Sequence, residues 1–361
     1  MNNKERILLD LIRKNPYVSQ QELADSMDLS RPSVANLISG LVKQGHIRGK
    51  AYVLNESKNI VCIGGANVDR KFYVKDQLQM GTSNPIRSNQ TVGGVARNIA
   101  ENFGRFGMET TLLTAGGKDA EWELIAEASA PYMNLDHVTR LSTENSGSYT
   151  AILDEHGELA VGLADMDIFD RMDPEWIHDY MPLLNQAKCI LADLNCPKAT
   201  LQVLCELADA RGIPLVLVTV SAPKMKNMPE ELSGVTWIIT NVTESEAYFG
   251  GSLTMESAVQ QWLDAGVRNV IVTEGSAGAA VGNHKEAIQH VPASEIDDVT
   301  DVTGAGDAFS AAVTYTWLEG KDILTAARAG IANATRTLES AFTVRQDLSA
   351  KKLREDMEEL S

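Results

Sequence analysis

The 361-residue sequence predicts an α/β fold behind a small, mainly helical N-terminal domain. Three observations carry this. Short apolar runs at 59–63, 188–193, 213–220, 236–240 and 269–273 read as buried strands, spaced by segments of helical length. Charge divides near residue 55: residues 1–55 carry +3, the remainder −20, within a total of −17. The chain is also too long for one average domain. We therefore divide it into residues 1–55 and 56–361, with a linker within 49–58.

In the first part, Ile7, Leu8, Leu11 and Ile12 recur at helical spacing, predicting a helix over 4–14 that ends before Asn15-Pro16. Ser19-Gln20-Gln21-Glu22 is a capping box that starts a second helix through Met27. Ser30 caps a third, with Val34, Leu37, Ile38, Leu41 and Val42 on one face, stopped by Gly45. Residues 47–54 alternate as a strand. Three helices, a tight turn and a strand resemble the winged helix-turn-helix of bacterial regulators. The resemblance implies DNA contacts from Arg31, Ser33 and Asn36 on the third helix and from Arg48 and Lys50 on the wing. The same pattern also suits a small dimerisation bundle.

In the second part, the strand at 59–63 runs into Gly64-Gly65-Ala66-Asn67-Val68-Asp69. Open α/β sheets place ligands just past such strand ends. Asp69 there either grips two neighbouring hydroxyls or shapes a turn. Gly93-Gly94 opens a helix to about Phe106, where Asn98, one turn in, is able to donate to a hydroxyl. Residues 148–153 alternate, 154–157 turn and 158–161 return, which is a hairpin. A helix near 197–211 separates two of the buried strands. Ala326, Ala327, Ala329, Ala332 and Ala334 let a helix over 323–338 pack closely on its neighbour.

The most informative stretch is Asp301-Val302-Thr303-Gly304-Ala305-Gly306-Asp307, followed by an apolar helical run. Nearly bare backbone at a helix start presents unpaired N–H groups to phosphate or an oxyanion. An acid at the rim of such a cradle repels a bound phosphate. It makes sense as a base, taking the proton of a hydroxyl that attacks phosphorus. The same residues also suit a capped glycine turn.

Composition narrows the setting. Cys62, Cys189, Cys196 and Cys205 show no paired metal spacing and read as buried thiols in a reducing cytosol. The charged N-terminus lacks a signal sequence, and no apolar stretch approaches membrane-spanning length, so a cytoplasmic protein without a membrane partner is expected. The acidic body should be repelled by nucleic acid.

Gly93-Gly94-Val95-Ala96-Arg97-Asn98-Ile99-Ala100 with Gly107 and Gly117, and then Asp301 to Asp307, resemble the two signatures of the ribokinase-like, PfkB-type sugar kinases. The resemblance covers roughly 59–350. It implies a mostly parallel sheet between helices and a small β lid from about 70–92 and 147–161. It implies Asp307 as catalytic base, Gly304, Ala305 and Gly306 as anion hole, and a sugar site from Asn67, Asp69, Gly93, Gly94 and Asn98. Asn241-Val242-Thr243-Glu244 matches the Asn-x-x-Glu motif, so Asn241 and Glu244 would serve ATP, with Glu244 reaching Mg²⁺ through water. Thr273, Gly275, Gly278 and Asn333 would line the nucleotide site. Asp301 and Thr303 match a monovalent-cation site that takes K⁺. Relatives often dimerise through the lid, and regulators reading paired half-sites also dimerise, so a homodimer is expected.

A narrower likeness is to bacterial pseudouridine kinases. Ser83-Asn84-Pro85, Ser148-Tyr149, Asp165-Met166-Asp167-Ile168 and Ala192-Asp193-Leu194-Asn195 carry it. It implies a nucleoside substrate phosphorylated at its 5′-hydroxyl, with Tyr149, Asp165, Asp167 and Asn195 near the nucleoside. The N-terminal domain departs from that pattern. Inosine, ribose or fructose as substrate, or a regulator using the kinase fold as a nucleoside sensor, remain open at this level.

Overall fold

The computed structural model of the chain describes residues 2–48, 59–294, 296, 299 and 302–360. Residues 2–48 form helices Asn3–Lys14, Gln20–Met27 and Arg31–Lys43. Their apolar faces close a core of their own, built on Leu8, Ile12, Leu23, Val34 and Leu41. The capping box forms as expected: Ser19 Oγ accepts the Glu22 N–H while the Glu22 carboxylate accepts the Ser19 N–H. Ser30 caps the third helix through the Ser33 N–H. Each such cap contributes about 1 kcal/mol. Asp28 makes the turn between the second and third helices at φ 51°, a left-handed conformation that Asp tolerates. The boundary at 55 and nearly all of the strand expected at 47–54 lie outside the described residues.

The body is built on a sheet whose strands run, from edge to edge, Glu286–Val291, Ala279–Asn283, Asn269–Thr273, Trp237–Asn241, Leu215–Val218, Cys189–Asp193, Ile60–Ile63 and Thr110–Leu113. From Asn269–Thr273 to Thr110–Leu113 every pairing is parallel, and the first two strands return antiparallel. Helices cover both faces, which explains why the strands read as unbroken apolar runs. Val61, Ile63 and Ile190 enter one core cluster, whereas Ile60, Cys62 and Leu191 enter the other, following the two-residue period of a strand. The four cysteines are free and buried.

Strand order reverses beside Ile60–Ile63. The chain goes first to Thr110–Leu113 on one side and later to Cys189–Asp193 on the other. Such a reversal opens a crevice at the carboxyl ends of the strands. Over it lies a second sheet, ordered Ile86–Gly93, Asn67–Val74, Gly147–Leu153 and Leu159–Asp165. This is the expected lid, slightly longer than the predicted segments. Its hairpin turn is held by Asp154 Oδ1, which accepts the N–H groups of His156 and Glu158. An Arg70–Glu121 ion pair at 2.7 Å ties it to helix Ala120–Ser129.

Helices Ala305–Leu318 and Ile323–Leu338 pack side by side. A Cβ on Gly330 would come within 2.8 Å of the Phe309 ring, so the expected small-residue contact is genuinely tight. Among the described residues, no helix is long and apolar enough to cross a membrane.

Candidate active site

The crevice floor is organised by Asp193, at the end of its strand and fully buried. Its Oδ2 accepts the N–H groups of Gly65 and Ala96, both at 2.9 Å, and Oδ1 accepts that of Asn195 at 2.8 Å. One carboxylate thus fixes the first glycine turn, the start of helix Val95–Arg105 and the turn after its own strand. Burial pushes its carboxyl above the ordinary range, and the three N–H bonds pull the other way. The sequence alone assigns Asp193 no role. The available signal was an acid closing an otherwise apolar strand beside the crevice. A Cβ on Gly64 would lie 2.3 Å from this carboxylate, which explains the glycine.

Asp307 sits in the first turn of helix Ala305–Leu318. Gly304 precedes that helix at φ 86° and, as a glycine, offers no side chain to cap its first N–H groups. A Cβ on Gly304 would meet the Thr343 carbonyl at 2.2 Å, whereas the corresponding direction from Gly306 is open space. Asp307 Oδ2 accepts a hydrogen bond from Asn98 Nδ2 at 2.8 Å. The orientation of that amide is fixed from behind. Arg97 Nη1 donates to Asn98 Oδ1 at 3.1 Å, and a guanidinium can only donate, so the amide nitrogen must face Asp307. Arg97 is in turn buried against Glu101 at 2.6 Å and Ser129 at 2.9 Å.

Asp307 keeps an open edge to the crevice, but its carboxyl is largely desolvated. Desolvation pushes it up to about 7, with the negative charges of Asp193 and Asp69 adding to the rise. The Asn98 hydrogen bond and the Arg97 charge oppose it. A carboxyl near neutrality is suited to accept a proton at physiological pH. Asn98 is itself almost fully buried and engaged on both ends of its amide. It therefore orients the base through one of its two amide N–H bonds.

On the lid side, Asn67 Nδ2 donates to Asp69 Oδ1 at 2.6 Å. Gly93 pairs with Asn67 across the lid strands, and a Cβ there would lie 2.1 Å from Asp69 Oδ2. Gly94 has φ 102° and packs on the Gly65 carbonyl, 2.4 Å from where its Cβ would be. Tyr149 pairs in register with Asp69 and so shares its face of the lid. Asn67, Asp69, Gly93, Gly94 and Tyr149 are thus brought together. Asn195 Nδ2 faces Gly65, the residue on whose carbonyl Gly94 packs. Asp165 and Asp167 are exposed, at the end of the last lid strand and the start of the short helix Asp167–Arg171.

Farther along the sheet, Asn241 and Thr273 pair in register at neighbouring strand ends. Asn241 caps helix Val242–Phe249 in a reciprocal capping box with Glu244. Glu244 is buried, and its Oε2 accepts from the hydroxyls of Thr219 and Thr240 and from the Asn241 N–H. It is both a helix cap and a fixed, buried carboxylate in the turn after strand Trp237–Asn241. Gly275, at φ 51° with open space where a Cβ would be, and Gly278, at φ 92°, shape the turn after Thr273.

Asn333 departs from expectation. It is fully buried, donates to Asn102 Oδ1 and the Ala308 carbonyl, and accepts from Arg345 Nε. Nothing of it is left for an adenine; it fastens the two long helices and the C-terminal segment. Thr303 accepts a hydrogen bond from Lys71. Asp301 lies outside the described residues. In the N-terminal domain Arg31, Ser33, Asn36 and Arg48 are exposed, while Lys50 is outside the described residues.

A parallel-sheet crevice with an uncapped helix start, a carboxylate near neutrality and a β lid defines a phosphotransferase acting on a hydroxyl. The chain belongs to the pfkB family of carbohydrate kinases, whose model matches residues 57–345. A MarR family model matches residues 1–51, which supports the winged helix-turn-helix reading of that domain. The uncharacterized sugar kinase YeiI of Escherichia coli (strain K12) is 29% identical over 355 residues, 97% of each chain. The pseudouridine kinase of the same organism is 28% identical over 302 residues, 82% of this chain and 95% of its own. A solved carbohydrate kinase from Agrobacterium tumefaciens superposes with a TM-score of 0.73 at 30% identity, covering 83% of this chain and 97% of that one. The protein is accordingly a sugar or nucleoside kinase of the ribokinase-like fold, as the two signatures implied.

Proposed function

We propose that the protein transfers the γ-phosphoryl group of ATP to the 5′-hydroxyl of a ribonucleoside, with pseudouridine preferred. The observation that carries the chemistry is Asp307, raised to about 7 and aimed by Asn98 at the open start of its helix. Asp69 on the lid grips the acceptor's hydroxyls. Asp307 takes the 5′-proton as that oxygen attacks phosphorus; the new O–P bond forms as the bond to the leaving ADP oxygen breaks. The N–H groups at Gly304, Ala305 and Gly306 stabilise charge on the transferring oxygens. The lid keeps water from competing as acceptor.

Mg²⁺ bound with the nucleotide would neutralise phosphate charge, and Glu244 is the residue that would hold it through water. Its carboxylate, fixed by two hydroxyls and an N–H, offers the oxygen chemistry that a hard cation prefers. Thr273, Gly275 and Gly278 are proposed to line the nucleotide, and Thr303 with Asp301 to hold K⁺. Identity to the pseudouridine kinase along nearly its whole length supports a nucleoside over a free sugar. An ADP-release assay with Mg-ATP and K⁺ across pseudouridine, uridine, inosine, cytidine, adenosine, ribose and fructose tests this. Preference for ribose or fructose contradicts the nucleoside reading while leaving the chemistry intact.

A second role is favoured by the MarR match. Residues 1–51 are proposed to bind DNA through Arg31, Ser33, Asn36, Arg48 and Lys50, in a cytoplasmic homodimer. Exposed Ile86, Leu159 and Leu163 on the lid strands suit the dimer contact. Silence on every substrate, combined with nucleoside-dependent DNA binding, would instead favour a sensor.

A further inference from the structure

A cavity of about 560 Å³ lies between the N-terminal domain and the body. Its walls come from residues 42–46, at the end of helix Arg31–Lys43, and from two body segments between 181 and 188 and between 211 and 214. Lys188 directly precedes strand Cys189–Asp193, and Pro214 directly precedes Leu215–Val218. The cavity therefore lies at the amino ends of two parallel strands, whereas the crevice lies at their carboxyl ends. Its volume suits a small molecule.

The charge around it is one-sided. Lys43 and His46 line it from the N-terminal domain and Lys188 and Arg211 from the body, and no carboxylate is among the described residues that do so. Among the described residues, none of these four side chains has a hydrogen-bond or ion-pair partner. Lys43 and Arg211 end helices Arg31–Lys43 and Lys198–Arg211, where each helix dipole favours a cation. Brought to one cavity with Lys188, the same cations repel one another. Desolvation holds the His46 imidazole below its ordinary value, and the Arg211 charge adds to the fall while Glu5 opposes it, so the two domains act on one another here. Donors of hydrogen bonds are short as well. Gln44 and Asn185, one from each side, carry amide oxygens buried without a donor. Unneutralised cations and unmet acceptors both oppose the contact as it stands. An anion that also carries hydroxyl groups supplies what each lacks, and Met181 and Ile213 add apolar wall for the rest of such a ligand.

We propose that this cavity binds a phosphate monoester of a ribose compound, held by Lys43 and His46 on one side and by Lys188 and Arg211 on the other. The phosphate neutralises both sides and so fastens the N-terminal domain to the body. Lys43 closes the helix that starts at Arg31, and Lys188 precedes the strand that ends at Asp193. The ligand thus touches both the proposed DNA-reading helix and the strand that organises the crevice. The choice of ligand class rests on the kinase reading, which makes such an ester at the crevice; the site itself rests on the cavity.

The test is calorimetric titration of the full-length protein with pseudouridine 5′-phosphate, ribose 5-phosphate and inorganic phosphate. Wild type is compared with Lys188→Gln/Arg211→Gln, which changes only the body side, and with Lys43→Gln, which changes only the other. Thermal unfolding of each protein is the control for folding, and initial rates with Mg-ATP and pseudouridine report on the crevice. Binding at the crevice is common to all three proteins, so only the difference between them counts. At least one ester should bind the double variant about tenfold or more weakly than wild type, and Lys43→Gln several-fold more weakly, with initial rates kept within about twofold. The ester that loses most identifies a nucleotide or a sugar phosphate as the occupant. Lys43→Gln, at an exposed helix end, decides the matter where the double variant does not fold. Equal affinities in the folded proteins overturn the proposal and leave the kinase reading standing. A loss in the double variant with none in Lys43→Gln overturns the shared site, and a loss for inorganic phosphate alone overturns the ligand class. A wild type without turnover overturns the kinase reading and leaves the affinity difference to decide this one.

Discussion

Raising the pH from 6 to 8 should switch the enzyme on through Asp307. With its carboxyl near 7, about a tenth of the protein carries the base ionised at pH 6 and about nine-tenths at pH 8. The specificity constant for the acceptor should therefore rise about tenfold over this interval. A carboxyl at the ordinary value of 3.8 would be almost wholly ionised throughout and give a flat profile. Asn98→Ala sharpens the test. Asn98 donates to the ionised form, so its removal should move the limb to higher pH by about one unit. The loss of rate is then several-fold at pH 7 and smaller at pH 9. Asp307→Asn should lower turnover by about 10²–10⁴ and abolish the limb in whatever activity remains. Steady-state rates at saturating Mg-ATP between pH 6 and 9 measure all three. A flat wild-type profile, or a limb that survives in Asp307→Asn, refutes the reasoning.

Other consequences follow from the same geometry. Because the folded state holds the Asp307 proton up to about 7 while an unfolded carboxyl releases it near 3.8, this residue's contribution to stability falls as pH rises between those values. Asp307→Asn should thus raise the melting temperature at pH 8 relative to wild type and change it little at pH 4, by thermal unfolding in matched buffers. Gly93→Ala places a methyl against Asp69 and should raise the acceptor's KM tenfold or more, with Mg-ADP affinity in calorimetry kept within about twofold. Asp193→Asn puts an amide where three N–H groups need acceptors, and should destabilise by about 3 kcal/mol in urea unfolding. Where enough of that variant folds, its rate limb should shift to lower pH, since a negative neighbour of Asp307 is gone. A chain of residues 59–361 should retain kinase activity and lose retention on DNA, because residues 2–48 close a core separate from the body's. An insoluble product would contradict that division.

Much of the fold was legible because its signals are local. The capping boxes at Ser19 and Asn241, the unbroken apolar strands and the lid hairpin are each decided within a few residues. The glycines were legible as a pattern, but their reasons are tertiary: Gly93 makes room for Asp69, Gly64 for Asp193 and Gly304 for the Thr343 carbonyl. What stayed hidden were bonds between distant segments. Asn98 reads as a residue facing substrate, and nothing local announces its bond to Asp307, 209 positions away. Asn333 reads as lining a nucleotide pocket until the tight helix pair buries it and Arg345 takes its oxygen. Asp193 looks like a strand end until three separate turns are found to converge on it. In each case the residue type was informative, and its partner was set by packing.

The central claim, that Asp307 activates a nucleoside hydroxyl for phosphoryl transfer, is tested most directly by ADP formation from Mg-ATP with pseudouridine. Wild type and Asp307→Asn are compared alongside calorimetric binding of the nucleoside to each. The account predicts pseudouridine-dependent turnover in the wild type and a loss of at least about a hundredfold in the variant, with nucleoside affinity nearly unchanged. Turnover in Asp307→Asn close to wild type would contradict it.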